Sequence, residues 1–140
     1  MPVSDDDTLR ELLGCNRIAV VGCSSTPGKA AHEIPAYLQR HGYEIVPVNP
    51  FADEILGEPA ADSLAEIEGE IELVDVFRPS EEVAGIVDET LDRKAAEGDV
   101  EALWLQLGIH NDEAVEKAED AGLPVVEDRC MKVEHQRLMD

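Results

Sequence analysis

The stretch Arg17-Ile18-Ala19-Val20-Val21-Gly22-Cys23-Ser24-Ser25-Thr26-Pro27-Gly28-Lys29 constrains this chain more than any other. An apolar run of strand character stops in small, turn-forming residues, and a helical pattern follows at once. It reads as a strand, a ligand-cradling loop and a helix N-terminus. Such a loop turns backbone N–H groups toward the space above the strand, where the helix dipole adds positive potential, and the combination suits a phosphate.

The same alternation continues downstream. Before the first strand, Ser4 is placed to cap a short helix over Thr8-Leu9-Arg10-Glu11-Leu12-Leu13, closed by Gly14. From Ala30 to His41, residues Ile34, Tyr37 and Leu38 share one helical face, Pro35 is read into the tolerant first turn, and Gly42 ends the segment. Glu44 to Pro50 reads as a second strand, its prolines signalling an edge or a strand ending. A helical turn over Ser63 to Ile67 precedes a third strand, Ile71 to Phe77, which ends at Arg78-Pro79-Ser80. Ser80 is placed to cap the next helix, where Glu81 and Glu82 suit the first turn and Val83, Ile86, Val87 and Leu91 form a stripe before Gly98. Ala102 to Gly108 is a fourth strand, Asn111 to Ala121 a fourth helix, Leu123 to Glu127 a fifth strand and Cys130 to Met139 a last helix.

Strands alternating with helices through short connections predict an α/β fold with a parallel sheet covered on both faces. The expected form is a Rossmann-like, doubly wound five-stranded sheet in the order 3-2-1-4-5, counting strands along the chain. With 140 residues, 44% of them hydrophobic, a single domain over 1–140 can bury one core without disulfide or metal staples. The three cysteines, Cys15, Cys23 and Cys130, form no C-x-x-C pair and fit a reducing compartment.

In that fold all strand C-terminal ends lie along one rim, next to the topological switch point where ligands bind. The rim collects Gly22 through Lys29, Asn49-Pro50, Phe77-Arg78-Pro79-Ser80 and Gln106-Leu107-Gly108. Lys29 and Arg78 are scarce cations in a chain with 11 basic and 32 acidic residues and a formal net charge of −21. Two cations at strand ends favour an anionic ligand, although Arg78 is equally placed to cap a helix or pair with one of many acids. The overall charge excludes nucleic acid and anionic membranes as partners. Self-repulsion of this size calls for screening counter-ions, so a halophilic setting is expected. No uncharged apolar run approaches the roughly 18 residues of a membrane span, and the acidic start Met1-Pro2-Val3-Ser4-Asp5-Asp6-Asp7 is unlike a secretion signal. A cytoplasmic location is the expectation.

A nicotinamide dinucleotide fits poorly. G-x-G-x-x-G is absent, since Cys23-Ser24-Ser25-Thr26-Pro27 separates Gly22 from Gly28, and the second strand ends in Asn49-Pro50 where an acid should hold the ribose. Five segments together, Val20-Val21-Gly22-Cys23-Ser24, Val46-Pro47-Val48-Asn49-Pro50, Val74-Asp75-Val76-Phe77-Arg78-Pro79, Leu103-Trp104-Leu105-Gln106-Leu107-Gly108 and Asp128-Arg129-Cys130, resemble the small stand-alone CoA-binding proteins. Their fold is similar to the N-terminal CoA-binding domain of the succinyl-CoA synthetase α subunit. The resemblance runs from about Leu9 to Leu138.

The resemblance implies coenzyme A, or an acyl-CoA, as ligand. It places Gly22, Cys23, Ser24 and Ser25 in the phosphate loop and Lys29 near the phosphate-bearing end of the nucleotide. It sets Val48, Asn49 and Pro50 beside adenine and ribose, and Phe77, Arg78, Pro79, Ser80, Gln106, Leu107 and Gly108 along the pantetheine arm. Many relatives carry an arginine and proline just after the first loop, where this chain has Gly28-Lys29-Ala30-Ala31. A lysine there is a point charge without the bidentate fork of arginine. Trp104 sits at an apolar strand position that core packing accounts for, while Phe77 suits core and ligand equally.

A synthetase of this type needs a phosphorylated histidine on a further domain and a nucleotide-binding subunit, which this chain is too short to supply. His110 is the histidine nearest the rim but has no serine or acid patterned around it. A non-catalytic CoA-binding module with a sensing or thiol-redox role is therefore expected, with half of a split acyl-CoA ligase, bound to a partner subunit, as the alternative. An NAD(P)-binding regulatory domain is a weaker one. Cys130, beside Arg129 and at a predicted helix start, reads first as a buried structural cysteine and is otherwise the candidate for mixed-disulfide exchange with CoA.

Overall fold

A computed structural model of the chain describes residues 2–139. Helix α1 (Asp6–Leu13) leads into strand β1 (Arg17–Val21), α2 (Ala30–Arg40) and β2 (Glu44–Val48). A two-stranded hairpin, β3 (Glu54–Ile55) with β4 (Glu58–Pro59), and a 3₁₀ turn over Leu64–Glu66 follow. Then come β5 (Leu73–Val76), a 3₁₀ turn over Ser80–Glu82, α3 (Val83–Glu97), β6 (Ala102–Leu105), α4 (Asp112–Asp120), β7 (Val125–Val126) and α5 (Met131–Leu138).

The main sheet has five parallel strands in the order β2-β1-β5-β6-β7. Its strands alternate between two apolar faces. Ala19, Val21, Val74, Val76, Leu103 and Leu105 pack with Val83, Ile86 and Val87 of α3 and Ala114, Val115 and Ala118 of α4. Ile18, Val20, Leu73 and Trp104 pack on the other side with Leu9, Leu12 and Leu13 of α1, Tyr37 and Leu38 of α2, and Met131 of α5. Both faces of a parallel sheet are thereby removed from water, which the βαβ connections require.

The class and the covering helices agree with the sequence expectation, but the strand order does not. Counting only the main-sheet strands along the chain, the order is 2-1-3-4-5, with β5 beside β1 rather than outside β2. Pro47 supplies the physical reason. The Val48 carbonyl accepts from the Gly22 N–H toward β1, whereas the Pro47 carbonyl faces the outer side and accepts from Ala61 N at 2.9 Å. Pro47 lacks the N–H that a full outer neighbour would need, so β2 sits at the edge, where one short bridge, Val48 to Ala61, covers it.

Smaller differences have similar local causes. Asp5 rather than Ser4 caps α1, accepting from Thr8 N at 2.9 Å and from Thr8 Oγ1 at 2.7 Å. Pro35 lies in the second turn of α2. Ser80 caps nothing; its Oγ accepts from His110 N at 3.1 Å and so ties the loop after β5 to the loop after β6. The irregular stretch before β5 is held by the buried Arg93 of α3, whose guanidinium donates to the carbonyls of Leu64, Ile67 and Gly69 at 2.7 to 2.9 Å and pairs with Asp99 at 2.9 Å. Burial would raise the Asp99 carboxyl, but hydrogen bonds from Arg93 and from Ile71 N outweigh it and hold the group below its ordinary value.

Candidate functional site

The first loop begins where β1 runs out. Gly22 has φ +84, a conformation that an L side chain adopts only under strain. A Cβ there would lie 2.7 Å from Arg78 Cδ and 3.2 Å from the Phe77 carbonyl oxygen, so the Arg78 stem rests directly on the glycine. The chain then turns through Ser24, whose N–H donates to Ala31 O at 2.9 Å and whose Oγ accepts from Thr26 N at 3.0 Å. Gly28 N donates to Glu33 Oε2, which also contacts His32 Nδ1 at 2.9 Å. Lys29 stands at the start of α2 without a side-chain cap bond, and no carboxylate among the described residues pairs with it.

Asn49 holds two loops together. Its Nδ2 donates to Cys23 O at 3.0 Å and its Oδ1 accepts from Phe51 N at 2.8 Å. Across the opening, Arg78 makes a two-pronged ion pair with Glu82, Nη2 to Oε2 at 2.7 Å and Nε to Oε1 at 3.2 Å. This pairing raises the arginine pKa and holds the glutamate below its ordinary value. Of the open readings for Arg78, the pair with an acid is the one observed.

Between these loops lies a cleft of about 540 Å³ at the C-terminal ends of β1, β2 and β5. It contains the place where β1 and β5 send their connections to opposite faces, which is the switch point of this strand order. Gly22, Cys23, Ser24, Lys29, Val48, Asn49, Pro50, Phe77 and Arg78 line it together. So do residues that sequence reasoning missed, namely Val21, Ala31, Phe51, Asp62, Ser63, Glu82, Ile86 and Glu89. Ile86 and Glu89 follow Glu82 at helical spacing and show the face that α3 turns to the cleft; nothing in the sequence pointed Asp62 or Ser63, the latter read only as the start of a helical turn, to the site, since they arrive through the edge bridge to β2.

Ser25, Pro79, Ser80, Gln106, Leu107, Gly108 and Cys130 lie outside the cleft wall. Gln106 is buried, with Nε2 donating to Asp75 Oδ1 at 2.6 Å and Oε1 accepting from Met131 N at 3.2 Å. Gly108 N donates to Asp128 Oδ1 at 2.7 Å, joining the loops after β6 and β7. Asp75 is fully buried; burial pushes its carboxyl up to about 7 against the hydrogen bond from Gln106, and its Oδ2 has no partner. Cys23 is buried as well, and burial followed by the nearby Asp75 pushes its thiol up to about 12, which removes it as a nucleophile. Trp104 is a core residue whose Nε1 donates to Arg129 O at 2.9 Å. Phe77 is half-buried, packed on the core and facing the cleft. His110 is exposed and is not among the residues that line the cleft; its N–H donates to Ser80 Oγ at 3.1 Å. Cys130, half-buried, occupies the N-cap of α5, and the adjacent Arg129 guanidinium is taken by Glu134 at 2.5 Å.

The chain is 44% identical over 119 residues to the Bacillus subtilis (strain 168) protein YneT, an alignment covering 85% of this chain and 84% of that protein. A Pyrococcus horikoshii OT3 protein of solved structure superposes with a TM-score of 0.91 at 36% identity, covering 100% of this chain and 97% of the other. An ADP-forming acetate–CoA ligase of Methanocaldococcus jannaschii is 32% identical over 72 residues, or 51% of this chain, and those residues span only 10% of the ligase. Among the described residues no helix is long and apolar enough to cross a membrane. A family model described as a CoA binding domain matches residues 16–136, and this chain belongs to that family.

Proposed function

We propose that this protein binds coenzyme A or an acyl-CoA in the cleft above β1, β2 and β5, as a binding module without chemistry of its own. The observation that carries the reading is the convergence of Lys29, Arg78 and the turn from Gly22 to Ser24 on one cleft at the switch point, in a chain with only 11 basic residues. The first-turn amides of α2 and the Lys29 ammonium offer donors to phosphate oxygens. Arg78 reaches the same opening once a phosphate takes the place of Glu82. Val48 and Pro50 give the nucleotide an apolar wall, and Phe77 leads the pantetheine arm toward Pro79, Ser80 and the turn Gln106-Leu107-Gly108. Cys130 lies further along the same rim, at the start of α5, and serves a sensing or thiol-redox role if the arm reaches it.

Calorimetric titration of CoA, dephospho-CoA and NAD in molar potassium chloride tests the reading. Micromolar CoA binding, little response to NAD, and weaker CoA binding by Lys29→Ala and Arg78→Ala are expected. Silence toward CoA from a folded sample overturns it. The similarity to ADP-forming acetate–CoA ligase favours a second reading, one half of a split acyl-CoA ligase. Co-purification of a larger subunit with ligase activity is its signature.

A further inference from the structure

Phe51 is 95% exposed, the most exposed large apolar side chain among the described residues. The other aromatic residues of the chain behave differently: Tyr37, Tyr43 and Trp104 are buried and Phe77 is half-buried against the core. Its backbone is nevertheless fixed. Pro50 precedes it with a restricted φ, its N–H donates to Asn49 Oδ1 at 2.8 Å, and Ala52 N donates to Asn49 O at 3.4 Å in the same turn. A rigid main chain thus holds an unpacked ring in the wall of the cleft, on the turn that Asn49 ties to the loop starting at Gly22.

The surroundings select the ligand chemistry. Val48 and Pro50 continue the apolar surface inward from Phe51, while Asp62 and Ser63, brought in by the bridge from Ala61 to β2, offer acceptors at the same end. The cations Lys29 and Arg78 come instead from the segments after β1 and β5. A flat apolar face with acceptors beside it suits a purine, whose π-surface stacks and whose exocyclic amine and ribose hydroxyls donate. A pantetheine arm has no such face.

We infer that Phe51 is the stacking platform for the adenine of the bound nucleotide and makes the cleft select a purine end. This rests on the CoA reading. Isotherms for wild type, Phe51→Ala and Phe51→Trp with CoA, ADP and 4′-phosphopantetheine test it, the last ligand by NMR titration because its binding is weak. The alanine variant is expected to lose about tenfold in affinity for CoA and for ADP, the scale of one base–aromatic stack, and to keep its affinity for 4′-phosphopantetheine. Phe51→Trp is expected to bind CoA as wild type does and to show fluorescence quenching on adding CoA or ADP. Equal CoA affinity in wild type and Phe51→Ala overturns the inference, as does equal loss for all three ligands. A wild-type dimer that Phe51→Ala dissociates without change in CoA affinity also overturns it, in favour of contact between copies. Should wild type bind no CoA, the CoA reading fails by itself; quenching of the tryptophan variant by ADP then still supports the purine platform, and no quenching ends it.

Discussion

Replacing Gly22 by alanine tests the most crowded point of the rim. Alanine at φ +84 carries a backbone cost of roughly 1–2 kcal/mol. The new methyl would also stand 2.7 Å from Arg78 Cδ and 3.1 Å from Cγ, against an ordinary carbon contact of about 3.5–4.0 Å. It cannot move toward Phe77, whose carbonyl oxygen is 3.2 Å away and whose N–H is tied to Val21 O at 2.9 Å. The Arg78 stem must therefore yield by about 1 Å, and its guanidinium leaves both Glu82 and the cleft mouth. The backbone cost by itself should lower the melting temperature by about 3–7 °C, taking 1–2 kcal/mol over the unfolding entropy of a chain this size, and the collision with Arg78 should take the fall beyond that. Arg78-dependent CoA affinity should fall with it.

Gly28→Ala is the control, because φ is +94 there and nothing lies within 4 Å of the added carbon. It carries the backbone cost without the collision. Combining Gly22→Ala with Arg78→Ala should restore stability toward the Gly28→Ala level, a coupling that a double-mutant cycle measures directly. Thermal melts and CoA isotherms of these variants decide the matter. A Gly22→Ala protein as stable as wild type, or strict additivity with Arg78→Ala, refutes the argument that the arginine is positioned by contact with the glycine.

Three further outcomes are expected. Burial lifts Asp75 from 3.8 to about 7, so between those values the folded state holds a proton that the unfolded chain has released, and this residue's contribution grows as pH falls from 7 toward 4. Asp75→Asn, which copies the protonated form, should exceed wild type in melting temperature at pH 8 and lose that advantage progressively from pH 7 toward pH 4; a constant difference across the range refutes the shift. Cys15, like Cys23, is buried with its thiol pushed up to about 12, so incubation with CoA disulfide should give one mass adduct on Cys130, with one CoA thiol released, and none in Cys130→Ser. Adducts on the buried pair, or no adduct, end the redox proposal. Finally, a net charge of −21 should make the melting temperature climb by several degrees from dilute buffer to molar potassium chloride; a flat response removes the halophilic reading.

The alternation of strands and helices was legible because apolar periodicity and glycine stops are local signals, and each main-sheet strand appears within a few residues of its expected place. Strand order is a long-range property, and the sequence held two inconsistent statements about it. Pro47 marked an edge strand, whereas the order 3-2-1-4-5 placed that strand between two neighbours. The missing N–H decided for the edge. Arg93 was invisible for a different reason. A charged residue in an amphipathic helix reads as solvated, and only the carbonyls of Leu64, Ile67 and Gly69, contributed by a loop with no periodicity, make its burial tolerable. In the site, the sequence brought strand ends to one rim but carried no sign of what each side chain bonds to across the fold: Asn49, in the cleft wall, and Gln106, outside it, use their amides to join loops and the α5 terminus.

The cleft's charge leads to a last prediction. Glu82 already neutralises Arg78, and Asp62 and Glu89 share the wall, so Lys29 is the one cleft cation that no described carboxylate pairs with. Attraction of a polyanion such as CoA cannot come from a net positive field here; at long range a chain of net charge −21 repels it. Directional donors at short range must supply the affinity, which screening weakens much less than it weakens repulsion between exposed charges more than about 10 Å apart. Association of CoA should therefore accelerate as potassium chloride rises from millimolar toward molar, opposite to the usual loss with salt for phosphate ligands on basic proteins. Stopped-flow binding across that range, on protein shown to be folded at each point, measures it. A rate that falls steadily with salt would mean that Lys29 and Arg78 create an attractive field strong enough to overcome the rest of the molecule, and that Glu82 does not hold Arg78 when the ligand arrives.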